Sequence, residues 1–400
     1  MPLPGPQSDS LPPRFKVMPR RLTLEVKNFG PIGRARVVFS DITVLVGPHA
    51  TGKSLILQWL KLALDSPRIL SRLQEHGLEW RGKGALLLAH YFGEDYQYSF
   101  GPTSAVRLGT ADIVPNRLAR GRARSGEHSV FYIPAHRALV MKTGWPLVFR
   151  EHTADTPFVA REFGGRVLDV LSARGEDPVL VPAPRRFPQE LRDRLDAALF
   201  HGGRIVAEAE KLGRKQLRLV HGRARLSAME WTTGQREVVP LLLGLSWALP
   251  GGKHSLRPGL QWIVAEEPEL GLHPDGIVAV LALLLETARR GYRLVLSTHS
   301  STVLDVLWTM RRLREAPRGG PSRLCRLLGI EDTKRMLAFA AQCLELDAAV
   351  NFLDFDPGTG KVRSRDISSL DPASPDAAES DWGGLIKYAS RAAELLSEDA

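Results

Sequence analysis

The residues best suited to chemistry form the segment Gly47-Pro-His-Ala-Thr-Gly-Lys53-Ser54. It has the spacing G-x-x-x-x-G-K-[ST], it follows the apolar run 42–46, and it precedes a predicted helix over residues 55–64. A strand before this pattern and a helix after it are typical of a phosphate-binding loop. The alternative is an ordinary glycine-rich turn between a strand and a helix.

Each residue type in this segment suits an anionic ligand. Gly47 and Gly52 allow successive backbone N–H groups to point toward an anion. Lys53 can place a positive charge on the β- and γ-phosphates, and the Ser54 hydroxyl can bind Mg²⁺. The N-terminus of the following helix adds about half a positive charge.

A second segment, Thr232-Thr-Gly-Gln235, precedes the apolar run 238–249. The run predicts a buried helix with Pro240 in its first turn. Its N-terminus would be another anion-binding end. Thr in this position is also typical of a simple helix N-cap, and this simpler interpretation stays open.

Two further apolar runs end in polar residues. The run 261–265 ends in Glu266-Glu-Pro-Glu269, and the run 292–296 ends in Ser297-Thr-His299-Ser300. A buried parallel strand that ends in two carboxylates can place one on Mg²⁺ and the other beside an attacking water. Ligands of open α/β sheets bind at the carboxyl ends of the strands, where His299 is expected. The alternatives are an exposed acidic turn and a structural histidine.

Taken in order, the phosphate loop, T-T-G-Q, E-E-P-E-x-x-x-H-P and S-T-H-S resemble the motif series of ABC-type ATPases. Segments 266–274 and 297–300 are similar to the soluble branch, related to chromosome-maintenance, recombination-repair and "overcoming lysogenisation defect" ATPases. The resemblance covers roughly residues 21–310. Transporter subunits usually carry Asp-Glu and L-S-G-G-Q instead.

The resemblance implies a role for each motif residue. Lys53 and Ser54 would hold phosphate and Mg²⁺, and Glu266 would be the carboxylate on the metal side. Glu267 would be the general base or would orient the water, and His299 would contact the γ-phosphate.

The resemblance also implies a homodimer that closes around two ATP molecules. Thr232, Thr233, Gly234 and Gln235 match the signature that caps the nucleotide of a second protomer. The loop 268–274 would cross between the two sites.

The sequence departs from the family at three places. His49 stands where Asn is usual, and Thr232-Thr233 replaces Ser-Gly or Ser-Ser. The glutamine of the usual Q-loop cannot be placed. Arg137, in Pro134-Ala-His-Arg137, is a candidate for the γ-phosphate side, with a surface arginine after a strand as the alternative.

We therefore predict an α/β fold: a P-loop NTPase core sheet with an antiparallel β subdomain, an inserted helical arm and a small α+β C-terminal region. Residues 1–20 are expected to be a disordered tail, residues 21–310 the ATPase core with the insertion at about 144–205, and residues 311–400 a region of unknown role. The individual elements predicted are strands over 22–26, 34–39, 42–46, 129–133, 90–100 and 106–108, a helix over 188–200 and a hairpin over 216–226.

The C-terminal region contains two ambiguous features. Several arginines between residues 308 and 326 could meet phosphate backbones, or could be a solvated helix end and loop. Asp354-Phe-Asp356 resembles the metal-binding pair of a Toprim nuclease, but the following Pro-Gly-Thr-Gly favours a hairpin turn.

The composition limits the function further. The 400 residues carry 54 Lys+Arg against 44 Asp+Glu, a formal charge of +10 that is compatible with contact to DNA. The two cysteines have no metal-like spacing and favour a cytoplasmic protein. No run is long enough to span a bilayer and the N-terminus has no signal-peptide core, so we expect no membrane insertion.

These features predict an ATP-hydrolysing, dimeric, nucleotide-gated switch with ATP and Mg²⁺ as cofactors, acting in DNA-associated or phage-defence processes. One alternative is an ATP-gated scaffold that recruits a separate effector protein. The other is a transporter ATPase subunit, which the signature and acidic motifs fit poorly.

Overall fold

The computed structural model describes residues 21–142, 144–153, 155–173, 179–182, 186–209, 215–250, 256–315 and 318–397. The predicted N-terminal tail over residues 1–20 lies outside the described residues.

The strands, in chain order, are β1 (Leu22–Phe29), β2 (Ile32–Phe39), β3 (Ile42–Val46), β4 (Phe100–Leu108), β5 (Ala111–Asp112), β6 (Val130–Ile133), β7 (Met141–Lys142), β8 (Trp145–Pro146), β9 (Val179–Val181), β10 (Arg204–Ala209), β11 (Lys215–His221), β12 (Ala224–Ser227), β13 (Trp262–Glu266), β14 (Arg293–Ser297), β15 (Ala348–Phe355) and β16 (Val362–Asp366). The α-helices are α1 (Lys53–Glu75), α2 (Gly84–Phe92), α3 (Pro115–Ala119), α4 (Phe158–Ala173), α5 (Gln189–Leu195), α6 (Thr233–Ala248), α7 (Pro274–Arg289), α8 (Ser301–Glu315), α9 (Gly320–Leu328), α10 (Lys334–Leu344), α11 (Ala377–Ser380) and α12 (Lys387–Ser397).

The main sheet has the order β5-β4-β1-β2-β16-β15-β3-β14-β13-β6. Five of its ten strands, β15, β3, β14, β13 and β6, are mutually parallel, and β4, β1 and β2 form the antiparallel part. Parallel strands end at the same edge of a sheet, so the segments after β3, β6, β13 and β14 emerge together.

The central strands are buried on both faces, which is why they appear in the sequence as continuous apolar runs. All five residues of β3 are buried. Val44 and Val46 face the core that includes α6, α7 and α8, whereas Leu45 faces the core that includes α1 and α2.

The predicted insertion contains strands as well as helices. It includes α4, α5 and a π-helix (Asp196–Phe200), and its β9 pairs with β10 in a second sheet of order β12-β11-β10-β9. The hairpin predicted over 216–226 is confirmed as β11 and β12, and the helical prediction over 188–200 matches α5 and the π-helix.

The predicted strand over 90–100 is wrong. The residues finish α2 and form a 3₁₀ helix (Glu94–Tyr98), and β4 starts only at Phe100. The aromatic side chains suggested a strand, but Phe92 packs against Phe29 and Trp59 from a helix instead. Tertiary packing has overridden an aromatic β-preference here.

The main sheet continues past residue 310, the predicted end of the core. β15 pairs in parallel with β3, and β16 pairs with β2, so the two strands lie in the middle of the sheet. The predicted hairpin is confirmed: β15 and β16 are antiparallel, and Asp356 accepts the N–H groups of Gly358 and Thr359 in the turn. Asp356 therefore shapes a turn.

Cys325 and Cys343 are both buried and free. Among the residues that the structure describes, no helix is long and apolar enough to cross a membrane.

Candidate functional site

The phosphate loop connects β3 to α1 through two glycines in the left-handed half of backbone space. Gly47 has φ +145°, and a Cβ atom there would overlap the carbonyl oxygen of Leu353 in β15. Gly52, with φ +80°, caps the start of α1. Both positions require glycine, and they leave the loop wrapped around the helix N-terminus, where an anion is favoured.

Lys53 points back into this loop. Its Nζ donates to the carbonyl oxygens of Gly47 and Pro48 at 2.8 and 2.9 Å. Burial lowers the pKa of Lys53 to about 8, and the nearby carboxylates of Glu267 and Glu266 oppose this shift. The carbonyl groups carry no net charge, so the positive charge of this buried ammonium can still attract an anionic ligand.

Glu266 is the last residue of β13 and is buried. Its Oε2 accepts the Ala135 N–H at 3.2 Å, and its Oε1 is one of the buried oxygens without a hydrogen-bond partner. Burial raises the pKa of Glu266. Gln58, one helical turn after Ser54, carries another buried and unpartnered oxygen, Oε1.

These oxygens fit a magnesium ion. Mg²⁺ prefers oxygen ligands, with one or two carboxylates completed by phosphate and water. Ser54, Gln58 and Glu266 line the same cavity, and two of them hold buried oxygens that lack a protein partner. Within the described part of the chain, no cluster of three or more His, Cys, Asp or Glu side chains could hold a metal ion. Ser54, Gln58 and Glu266 are the residues that would hold a metal ion here, with the nucleotide supplying further oxygen ligands.

Glu267 follows Glu266 and has φ +41°, in the left-handed region. Such a conformation costs about 1–3 kcal/mol in a residue other than glycine, and it is common at functional sites. Its N–H donates to Ser297 O at 2.9 Å, and its Oε1 lies 3.6 Å from Nε2 of His299. Strain and contact together aim this carboxylate at the loop after β14.

His299 is held from two sides. Its ring stacks on the ring of His49 with centroids 4.2 Å apart. Its backbone N–H donates to Glu269 Oε1 at 2.7 Å. Burial lowers the pKa of His299, and the charge of Lys53 lowers it further. A neutral imidazole beside a carboxylate is therefore the favoured state. His49 stands where the ATPases that the sequence resembles usually carry Asn, and in this chain its ring stacks on the histidine after β14.

Glu269 is a functional candidate that the sequence did not identify. Its Oε1 also accepts from Thr298 Oγ1 at 2.7 Å, so it fixes the turn that carries His299. Burial raises the pKa of Glu269. The signal in the sequence was a third carboxylate two residues after Glu267, which pattern matching treated as part of the loop.

Lys53, Glu267 and His299 line one cavity of about 520 Å³ beside the phosphate loop. A second cavity of about 570 Å³ continues past Ser54, Gln58 and the two carboxylates. The structure thus brings three of the four predicted segments to one place. The individual roles of these residues stay predictions.

The fourth segment, Thr232-Thr-Gly-Gln235, lines neither of these cavities. Thr232 and Gln235 form a capping box at the start of α6: Thr232 Oγ1 accepts from Gln235 N at 3.2 Å, and Gln235 Oε1 accepts from Thr232 N at 3.1 Å. Gly234 packs on Gly271, in the predicted crossing loop, so closely that a Cβ atom would not fit. Within one chain these residues cap a helix, and Thr232 and Thr233 are exposed.

Neither interpretation of Arg137 is correct. The side chain is completely buried, so it is not a surface arginine. Its guanidinium donates to backbone carbonyls, including those of Glu266 and Glu267, at 2.7 and 3.0 Å. It therefore binds the end of β13 from behind, and is not aimed at a phosphate.

Comparison with known sequences agrees with this geometry. Residues 173–305 match a family described as "AAA domain, putative AbiEii toxin, Type IV TA system". The matched range contains the T-T-G-Q, E-E-P-E and S-T-H-S segments, and the phosphate loop precedes it in the chain. The chain has an α/β fold of the P-loop type, with the phosphate loop between β3 and α1 at the end of the parallel strands. No curated protein matches the sequence.

Solved structures that are similar to this chain include heads of SMC proteins. The SMC head domain from Thermotoga maritima has a TM-score of 0.37 and 12% identity, covering 87% of this chain and 98% of that one. An SMC head bound to the C-terminal winged-helix domain of ScpA has a TM-score of 0.40 and 13% identity, covering 87% and 98%. An SMC head bound to the C-terminal domain of ScpA, derived from Pyrococcus furiosus, has a TM-score of 0.38 and 12% identity, covering 88% and 97%.

Proposed function

We propose that this protein binds Mg-ATP and hydrolyses it, and that two copies close around two nucleotides. The observation that carries the proposal is the single cavity lined by Lys53, Glu267 and His299, at the edge of the sheet where β3, β13 and β14 end. Parallel pairing of the strands brings the three segments together. It does not by itself call for a lysine, a carboxylate and a histidine there, whereas a triphosphate and its attacking water use all three.

The mechanism consists of positioning and charge stabilisation. The phosphate loop and Lys53 hold the β- and γ-phosphates. Ser54 and Glu266 would hold Mg²⁺. Mg²⁺, when bound, neutralises charge on the phosphate oxygens. Glu267 orients and deprotonates the attacking water, and neutral His299, whose Nε2 lies 3.6 Å from Glu267 Oε1, donates to the γ-phosphate.

The exposed T-T-G-Q segment supports the proposed dimer. Thr232 and Thr233 lie at the N-terminus of a 16-residue helix, a suitable anion site, yet they do not line the cavity of their own chain. A second protomer's nucleotide would use this end of α6. The packing of Gly234 on Gly271 would couple that contact to the crossing loop.

The Glu267→Gln variant tests this function. It keeps the shape of the side chain and removes its charge, so ATP should still bind while turnover falls about 100-fold or more. The variant should then accumulate as an ATP-bound dimer, measured by light scattering with and without ATP. Lys53→Ala is the matched control and should lose nucleotide affinity. Unchanged turnover in Glu267→Gln would remove the role given to this carboxylate.

The process that the ATPase serves is proposed to be DNA-associated or phage defence, in the cytoplasm. The support is the formal charge of +10 and the matched family description, which names a putative toxin of a toxin–antitoxin system. DNA should stimulate turnover, and binding should weaken steeply with salt. Absence of DNA binding even at low salt would remove this proposal.

The second candidate is an ATP-gated scaffold for a separate effector protein. It is favoured by the exposed Tyr388, Leu395 and Leu396 on α12, a surface that the ATPase mechanism does not use. Co-purification of one partner with the Glu267→Gln form, and not with the Lys53→Ala form, would support it. A chain that stays alone in both forms would contradict it.

A further inference from the structure

Arg137 connects three segments that surround the catalytic carboxylates. Its Nε donates to Glu237 O at 3.0 Å, and one terminal nitrogen donates to Pro134 O at 3.1 Å and to Glu266 O at 2.7 Å. The other terminal nitrogen donates to Glu267 O at 3.0 Å. One planar group therefore joins the turn after β6, the end of β13 and helix α6.

The burial of this charge needs a reason. Arg137 is 0% exposed, and its nearest carboxylate, Glu237, has an oxygen 3.8 Å from Nε. Burying a cation costs several kcal/mol, and a packed apolar side chain often stabilises such a position better. Burial lowers the pKa of Arg137, and Glu237 opposes this shift. A role in holding the core together does not explain this choice, whereas binding four carbonyls in a fixed pattern does.

Two of those carbonyls flank the residue with the strained backbone. The Glu266 and Glu267 carbonyls lie on either side of the φ +41° conformation of Glu267. The N–H of Glu267 is held separately by Ser297 O. The guanidinium thus fixes the orientation of both peptide groups that determine where the Glu267 carboxylate points.

The remaining contact leads to the signature. Glu237 lies two residues after Gln235 in the first turns of α6, and its carbonyl accepts from Arg137 Nε. A rigid movement of α6 would therefore shift the guanidinium, and with it the peptide groups around Glu267.

We propose that Arg137 is a positioning residue that sets the backbone of Glu267 and couples it to α6, so that engagement of the T-T-G-Q segment by a partner's nucleotide adjusts the catalytic carboxylate. This inference rests on the proposed function. It assigns Arg137 no contact with ATP or metal; the residue acts through Glu267.

Arg137→Lys is the test, because it keeps the buried charge but cannot make the forked contacts. A misplacement of Glu267 should lower kcat about 10- to 100-fold, with KM, ATP affinity and ATP-driven dimerisation roughly unchanged. Arg290→Lys is the matched control: the mostly buried Arg290, just after α7, also donates to a backbone carbonyl, Arg186 O at 2.8 Å, but lines neither cavity of the site. It should change thermal stability and leave kcat near wild type.

The outcomes distinguish a failure of the role proposed for Arg137 from a failure of the proposed ATPase function. A wild-type kcat in Arg137→Lys, with wild-type ATPase activity intact, would overturn the role of Arg137 alone. A loss of kcat shared equally by Arg290→Lys, or accompanied by an equal loss of ATP binding, would also overturn it by indicating general damage. A wild-type protein that binds no ATP would instead remove the proposed function, and this inference with it.

Discussion

Helix α1 carries two buried lysines in opposite situations. Lys53, at the start of the helix, is hydrogen bonded to neutral carbonyls of the phosphate loop. Lys61, about two turns later, is completely buried; its Nζ donates to Glu162 Oε2 at 2.8 Å and lies 3.5 Å from Asp65 Oδ2. His128 joins this second group, with Nδ1 3.2 Å from both Lys61 Nζ and Glu162 Oε1.

The carboxylates around the two lysines differ in the same way. Burial by itself would raise the pKa of Asp65, but Lys61 and His128 bring it well below its ordinary value; His128 and Lys61 likewise lower the pKa of buried Glu162. Burial raises the pKa of Glu266 and of Glu269, and no nearby cation offsets the cost of burying these carboxylates to the same extent. The Lys61 group is a completed ion network, whereas the Lys53 site has unbalanced groups that a ligand would complete.

The largest expected difference is in stability. Lys61→Met should destabilise the protein by about 3–5 kcal/mol, because it leaves Asp65 and Glu162 buried without their cation. Lys53→Met should change the free energy of unfolding little and should abolish ATP binding. Urea unfolding of both variants without nucleotide, together with ATP titration, measures the contrast. Equal destabilisation by the two substitutions would show that the two regions are not different in kind.

The site residues that could be predicted from the sequence are those recognised from their immediate neighbours in the chain. The phosphate loop, Glu266, Glu267 and His299 each follow an apolar run, so the end of a strand could be predicted from its own neighbours. Parallel pairing of those strands then brings the residues together. This reasoning accounts for the cavity but for none of the contacts that support it.

The supporting contacts depend on residues far away in the chain. Lys61 meets His128 across 67 positions, and Arg137 meets Glu266 across 129 positions. The placement of β15 beside β3 is equally non-local, which is why the predicted core ended too early. Gln58 belongs to no recognised motif, and Glu269 lies in the E-E-P-E segment without an assigned role. Each carries a buried oxygen without a hydrogen-bond partner, which the sequence could not show.

A smaller effect should appear in the pH dependence of ATP binding. The pKa of Lys53 is lowered to about 8 by burial, and phosphate favours the charged form. Below about pH 8 the lysine is already protonated and affinity should be constant. Above it, binding must take up a proton, so affinity should fall by up to about tenfold per pH unit. Lys53→Arg is the control, because arginine stays charged, and its profile should be flat. A flat wild-type profile would contradict the interpretation that the buried ammonium of Lys53 binds the phosphates.

The smallest expected change concerns Glu269, because Gln in its place keeps the Oε1 acceptor for Thr298 and His299. The folded pKa of Glu269 is raised above its ordinary value of 4.5 by burial. Its charge therefore costs stability at neutral pH, and the cost disappears as pH falls below 4.5. Glu269→Gln should thus be slightly more stable than wild type at pH 7 and equal to it near pH 4.

Glu162→Gln should show the opposite sign, because the folded pKa of Glu162 is lowered: its contribution is present above 4.5 and is lost as pH falls. If both variants shift the pH-dependent unfolding free energy in the same direction, the Glu269 carboxylate is as well compensated as Glu162, and the site after β13 holds no unbalanced charge for a nucleotide and its metal.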